Sequence, residues 1–117
     1  MLRERALGRS RLTLLQGTVD MLVLRALREQ PLAHGYTVSR WVKETTEGLL
    51  ALEDAALYQA LHRLEARGWV ASAWGVSENN RRAKFYTLTA DGKKQLRSEA
   101  TTWRKYATAI FKVLGDA

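Results

Sequence analysis

Residues 77–89 read SENNRRAKFYTLT: two asparagines, then three cations, then a run of aromatic and β-branched residues. Arg81 and Arg82 carry planar guanidinium groups that match phosphate oxygens, and arginine is drawn into narrow DNA grooves by their enhanced negative potential. Lys84 adds a third cation, while Asn79 and Asn80 suit left-handed backbone or donation to phosphate. A second group lies upstream in AALYQALHRLEARG, residues 55–68. There Gln59 offers the bidentate pattern that fits adenine and Arg63 the one that fits guanine. Tyr58 and His62 suit phosphate or shape contacts. This is recognition chemistry and not catalysis. No nucleophile–base pair, phosphate-cradling glycine loop or metal-ligand cluster is spaced in the chain, so an enzyme is not expected. The absence of cysteine excludes disulfides, thiolate metal sites and a cysteine nucleophile. His34 and His62 are the two histidines, and no carboxylates are spaced to complete a zinc site with them. Neither a metal nor a cofactor is expected.

Two reading segments need elements to hold them. With 117 residues, 46% of them apolar and 26% charged, the chain fits one globular domain. Val19, Leu22, Val23, Ala26 and Leu27 recur at three- and four-residue spacing, which predicts a helix from about Leu14 to Glu29, ended by EQPLAHG. A second helix is expected from about Tyr36 to Thr46, with Val38, Trp41 and Val42 inward and Gly48 as its stop. LLALED reads as a short extended link, with Glu53 or Asp54 able to cap the third helix. In that helix Leu57, Leu61 and Leu64 form a narrow apolar stripe, which turns Tyr58, Gln59, His62 and Arg63 toward other faces; Gly68 ends it. WVASAW and KFYTLT alternate like strands, with Val70 and Trp74 sharing one face of the first and Tyr86 and Leu88 one face of the second, and GVSENNRR joins them as a hairpin loop. Thr89 caps a last helix from about Ala90 to Leu114. Its apolar positions Leu96, Ala100, Trp103, Ala107, Ile110 and Leu114 are spaced 4, 3, 4, 3, 4, a heptad seam too short to stand alone and suited to docking on a second subunit.

The expected class is thus mainly α with a small β-hairpin: a winged helix-turn-helix over residues 14–89, a basic arm over 1–13 and a C-terminal dimerisation helix over 90–117. The hairpin is the wing, which explains the mixed character of residues 77–89: the tip projects into solvent and can carry charge, whereas the returning strand packs on the helices. The net charge of +7, from 19 Lys and Arg against 12 Asp and Glu, suits a polyanionic partner. Arg3, Arg5, Arg9 and Arg11 precede LTLLQGTVDMLVLRAL, but Gln16, Asp20 and Arg25 interrupt that apolar run. Neither a targeting signal nor a membrane span is expected, and a cytoplasmic location is.

ALYQALHRLEARGWV, WGVSENNRRAKFYTLTADGKKQL and the HGY of residues 34–36 resemble the PadR family of bacterial transcriptional regulators, most closely the subgroup with the SENNRRAKFY wing. The resemblance runs from about Leu14 to Leu114. It implies a dimeric DNA-binding protein, usually a repressor, that dimerises through its C-terminal helix and binds double-stranded DNA at a pseudo-palindromic operator. It places Tyr58 and Arg63 on the recognition helix, Arg81, Arg82 and Lys84 on the wing, and Tyr36 at the start of the second helix. Gln59 stands where many relatives have proline, so base contacts do not transfer from them. Some relatives bind flat aromatic ligands between the dimerisation helices, where Trp103 is similarly placed; a small aromatic effector is one reading of that residue, and plain packing, the commoner fate of a tryptophan on a heptad seam, is the other. The alternative is a winged-helix module that binds protein and not DNA.

Overall fold

A computed structural model describes residues 17–117 together with Leu12 and Leu14. Its elements run in the order α1 (Thr18–Glu29), α2 (Gly35–Thr45), α3 (Asp54–Ala66), β1 (Val70–Val76), β2 (Arg82–Leu88) and α4 (Ala90–Leu114). The fold is mainly helical with one antiparallel hairpin, as the sequence predicts. The basic arm of residues 1–13 lies outside the described residues except for Leu12, whose N–H donates to the Leu49 carbonyl at 2.7 Å.

The core gathers around α3. Leu57, Ala60, Leu61 and Leu64 are fully buried there, against Val23, Leu24, Ala26 and Leu27 of α1 and Val38 and Val42 of α2. α1 begins at Thr18 and not near Leu14, because Gly17 takes a left-handed conformation (φ 88°) that a right-handed helix cannot contain. The α2–α3 link is pinned by Thr46, whose hydroxyl donates to the Val42 carbonyl (2.9 Å) and accepts from the Leu50 N–H (3.0 Å). Leu52 in that link is buried. Glu53 stands at the N-cap of α3 but makes no side-chain cap bond.

β1 and β2 pair from Val70↔Leu88 to Val76↔Arg82. The base of the hairpin is tied to the α1–α2 connection through Ala33, which donates to the Tyr86 carbonyl (3.0 Å) and accepts from the Tyr86 N–H (2.8 Å). At the tip, the Asn80 N–H donates to Ser77 and the Ser77 N–H to Arg81 (2.9 and 2.8 Å), and Asn80 sits in the left-handed region (φ 57°). Asparagine is among the few non-glycine residues that tolerate this conformation, so the expectation for the asparagine pair holds at Asn80.

α4 starts as predicted. Thr89 accepts from the Gly92 N–H at 3.0 Å, and its hydroxyl donates to the Gly68 carbonyl at 2.8 Å. Gly92 lies so close to the Trp69 carbonyl that a β-carbon would collide with it, so the first turn of α4 rests directly on the backbone entering β1. Leu96 is buried in the core, after which the helix runs outward.

Candidate nucleic-acid interface

Burying Leu57, Leu61 and Leu64 leaves α3 one outward face, and its side chains have different surroundings. Tyr58 is half exposed, and its phenol lies over Gly35 at the start of α2, where a β-carbon would strike it. The glycine of HGY therefore lets two helix starts approach with a tyrosine between them. Gln59 and His62 are exposed. Arg63 turns back: its guanidinium bonds Asp20 of α1 at 2.5 Å. The structure thus joins Arg63 to the scaffold and leaves Gln59 and His62 facing outward.

The hairpin face turned toward α3 grades from apolar to cationic. Its cross-strand pairs are Val70–Leu88, Ser72–Tyr86, Trp74–Lys84 and Val76–Arg82, from base to tip. Val70 and Tyr86 are buried, whereas Trp74 is 59% exposed, because the hairpin extends past the helices it packs on. Val70 and Trp74 share a face as predicted, but only the base of that face is core. Toward the tip the Arg82 guanidinium lies 4.3 Å from the Trp74 ring centroid, within cation–π range. Among the described residues no carboxylate pairs with Arg81 or Arg82. Lys84 is different. Its ammonium lies 3.5 Å from Glu65 of α3, whose other oxygen accepts from the Ser72 hydroxyl at 2.5 Å. The Ser72 hydrogen bond is the main reason the Glu65 carboxyl titrates below its usual range; Lys84 acts in the same direction, against partial burial. Burial, and then the Glu65 charge, push the Tyr86 phenol up.

Between these parts runs an open groove of about 540 Å³. Tyr36, Tyr58, Trp74, Arg81, Arg82 and Lys84 line it together with His34. His34 stacks beside Tyr36 (6.2 Å between centroids) and meets Phe85 edge-on (5.6 Å). Arg40, one turn along α2, lies 5.5 Å from the Tyr36 ring. Cations among exposed aromatic rings, beside an outward helix face, form a surface for a polyanion whose sugars and base edges offer flat contacts.

The sequence matches the profile of the transcriptional regulator PadR-like family over residues 23–98. The chain belongs to the PadR-like family. Solved structures agree. A transcriptional regulator from Clostridium thermocellum is 30% identical, with a TM-score of 0.75 over 83% of this chain and 93% of that one. A PadR family regulator from Clostridium difficile is 30% identical over 85% of this chain and all of that one, with a TM-score of 0.71. A PadR family regulator from Eggerthella lenta is 27% identical, with a TM-score of 0.73 over 99% of this chain and 94% of that one. This PadR-like chain is accordingly a DNA-binding transcriptional regulator, and no helix among its described residues is long and apolar enough to cross a membrane.

Of the residues singled out in the PadR-like sequence, the groove brings together Tyr36, Tyr58, Arg81, Arg82 and Lys84. Gln59, His62 and Asn80 stand exposed outside it, and Arg63 is held by Asp20. His34, Trp74 and Arg40 join the groove residues without a site role expected from the sequence. Trp74 is visible as an aromatic on a strand that outruns its core; His34 is marked only as part of HGY, and nothing local marks Arg40. On α4 the heptad positions part company. Leu96 is 4% exposed and belongs to its own chain's core, so it is not an available dimer contact. Ala100, Trp103 and Ala107 are half-buried, and Ile110 and Leu114 are exposed. Tyr106, Phe111 and Val113, off the predicted seam, are exposed as well. Trp103 lies 5.5 Å from the Tyr106 ring and borders an open groove of about 620 Å³ between α1 and α4, with Met21, Gln95 and Glu99.

Proposed function

We propose that this PadR-like regulator is a homodimeric repressor of the cytoplasm that reads a pseudo-palindromic operator. The winged helix-turn-helix of residues 14–89 makes the DNA contacts and the 90–117 segment makes the dimer. The observation that carries the reading is the Arg81–Arg82 tip, without a carboxylate partner among the described residues, beside the outward face of α3 and the aromatic groove between them. Gln59 and His62 face base edges in the major groove. Arg81, Arg82 and Asn80 hold the flanking backbone, and Tyr36 and Tyr58 bear on sugar and phosphate. The exposed outer half of α4, from Trp103 to Leu114, pairs with its copy. That sets the two recognition helices about one helical turn, ~34–36 Å, apart. The groove beside Trp103 suits a flat aromatic effector, whose binding would quench the fluorescence of that indole.

Salt dependence tests the DNA contacts. A dimer neutralising ~6–10 phosphates should lose ~10³–10⁵-fold in affinity between 50 and 200 mM salt. The Arg81→Ala/Arg82→Ala double variant should bind operator more weakly and reduce the log–log salt slope by about four, two phosphates per wing. An unchanged slope in the double variant would remove the wing tip from the interface.

A further inference from the structure

We infer that Glu65 is a positioning residue that fixes the wing against the recognition helix, so that the cations at the wing tip reach DNA only while this one carboxylate is in place. The inference rests on the DNA-binding role of Arg81 and Arg82 proposed above.

Glu65 lies near the C-terminal end of α3, and its two oxygens go to different strands. Oε2 accepts from Ser72 of β1 at 2.5 Å, and Oε1 faces the Lys84 ammonium of β2 at 3.5 Å. These strands are themselves paired, Ser72 opposite Tyr86 and Lys84 opposite Trp74. One carboxylate therefore spans the hairpin at its middle, just above the point where Ala33 ties the base to the α1–α2 connection through Tyr86. Beyond Glu65 the face turned toward α3 has no apolar seat, since Trp74 and Val76 are exposed, and on the other face Phe85 meets only the edge of His34 among the described rings. A two-stranded ribbon fastened only at its base can pivot. Fastened at its middle to α3, it holds Arg82 and Arg81 at a fixed distance from Gln59 and His62. A phosphate contact and a base contact made on one rigid frame do not each carry a separate ordering cost.

The inference also assigns Lys84 to the scaffold and not to DNA, and it accounts for an acid placed beside a surface meant for a polyanion. On charge alone, Glu65 opposes binding, and its removal should tighten it. The latch requires the opposite sign.

The test is a thermodynamic cycle on the full-length protein with an operator duplex selected from genomic fragments. Glu65→Gln should weaken operator binding by roughly tenfold although it makes the protein more positive. Ser72→Ala, which removes one donor and no charge, should weaken it in the same direction. In the Arg81→Ala/Arg82→Ala background, Glu65→Gln should no longer weaken binding, because the wing then has nothing to deliver. Without DNA, hydrogen exchange of the β1–β2 amides should quicken in Glu65→Gln while the buried amides of α3 keep their protection. Tighter binding by Glu65→Gln with unchanged hairpin exchange overturns the latch and leaves the DNA-binding reading intact. Faster hairpin exchange with a wing double variant that binds like wild type overturns that reading, and with it the delivery of the wing to DNA.

Discussion

Arg81 and Arg63 are both exposed arginines in segments that suggest DNA contact, and what separates them is a partner elsewhere in the chain. Arg63 meets Asp20, 43 residues earlier, at 2.5 Å. Among the described residues no acid meets Arg81. An exposed pair such as Arg63–Asp20 contributes only ~0.2–1 kcal/mol. Arg63→Ala should therefore lower stability by less than ~1 kcal/mol in denaturant titrations and leave the salt slope of DNA binding unchanged. A slope reduced by about one per protomer would instead return Arg63 to the phosphate backbone. At this scale the sequence shows which residue types could bind DNA but not which are already engaged. Lys84 and Arg81 look alike in SENNRRAKFY, and only the folded chain brings Glu65 to the former. The roles of His34 and Arg40 are hidden for a similar reason: each comes from a neighbouring ring, Phe85 or Tyr36, after folding.

The elements themselves are more legible, because what defines them is local. α4 runs over Ala90–Leu114 as the Thr89 cap and the heptad spacing require, and α3 is centred where its leucine stripe predicts. β1 reaches Val76 and β2 starts at Arg82, past the expected WVASAW and KFYTLT, and two further features lie outside the local pattern. α1 starts later than its apolar pattern suggests, because a glycine can continue or end a helix and only its φ decides. The Ala33 bridge leaves no trace in the sequence because one residue has no periodicity and its partner lies 53 positions away. The close contact of α4 with the Trp69 carbonyl gives a direct test. Gly92→Ala, favourable by helix propensity, should destabilise the protein by roughly 1–3 kcal/mol, since the new methyl meets backbone that cannot move aside. A variant more stable than wild type in thermal melts would contradict the packing. The Glu65 bridge makes a second prediction. Its pKa is lowered from an ordinary value near 4.5. The stability it contributes is thus present above that value and is lost as pH falls through the lower folded value. Wild type should melt higher than Glu65→Gln at neutral pH, and the two curves should converge as acid protonates the carboxyl. A gap that persists or widens in acid would show that the bridge is not ionic.

For the molecule as a whole, the outer half of α4 decides whether one chain is the working unit. Ile110, Phe111, Val113 and Leu114 are exposed together at the end of a 25-residue helix, and Leu96 has already gone to the core of its own chain. A cluster of that kind on a free monomer would favour association. Ile110→Asp should convert the proposed dimer to a monomer in sedimentation experiments and weaken operator binding, with the helical circular dichroism of the domain retained. Paired reading of one face of a duplex leaves its own mark in hydroxyl-radical footprinting on a selected operator. Two protected patches about one helical turn apart on the same face, both lost with Ile110→Asp, are predicted. A single patch that survives Ile110→Asp would contradict the account.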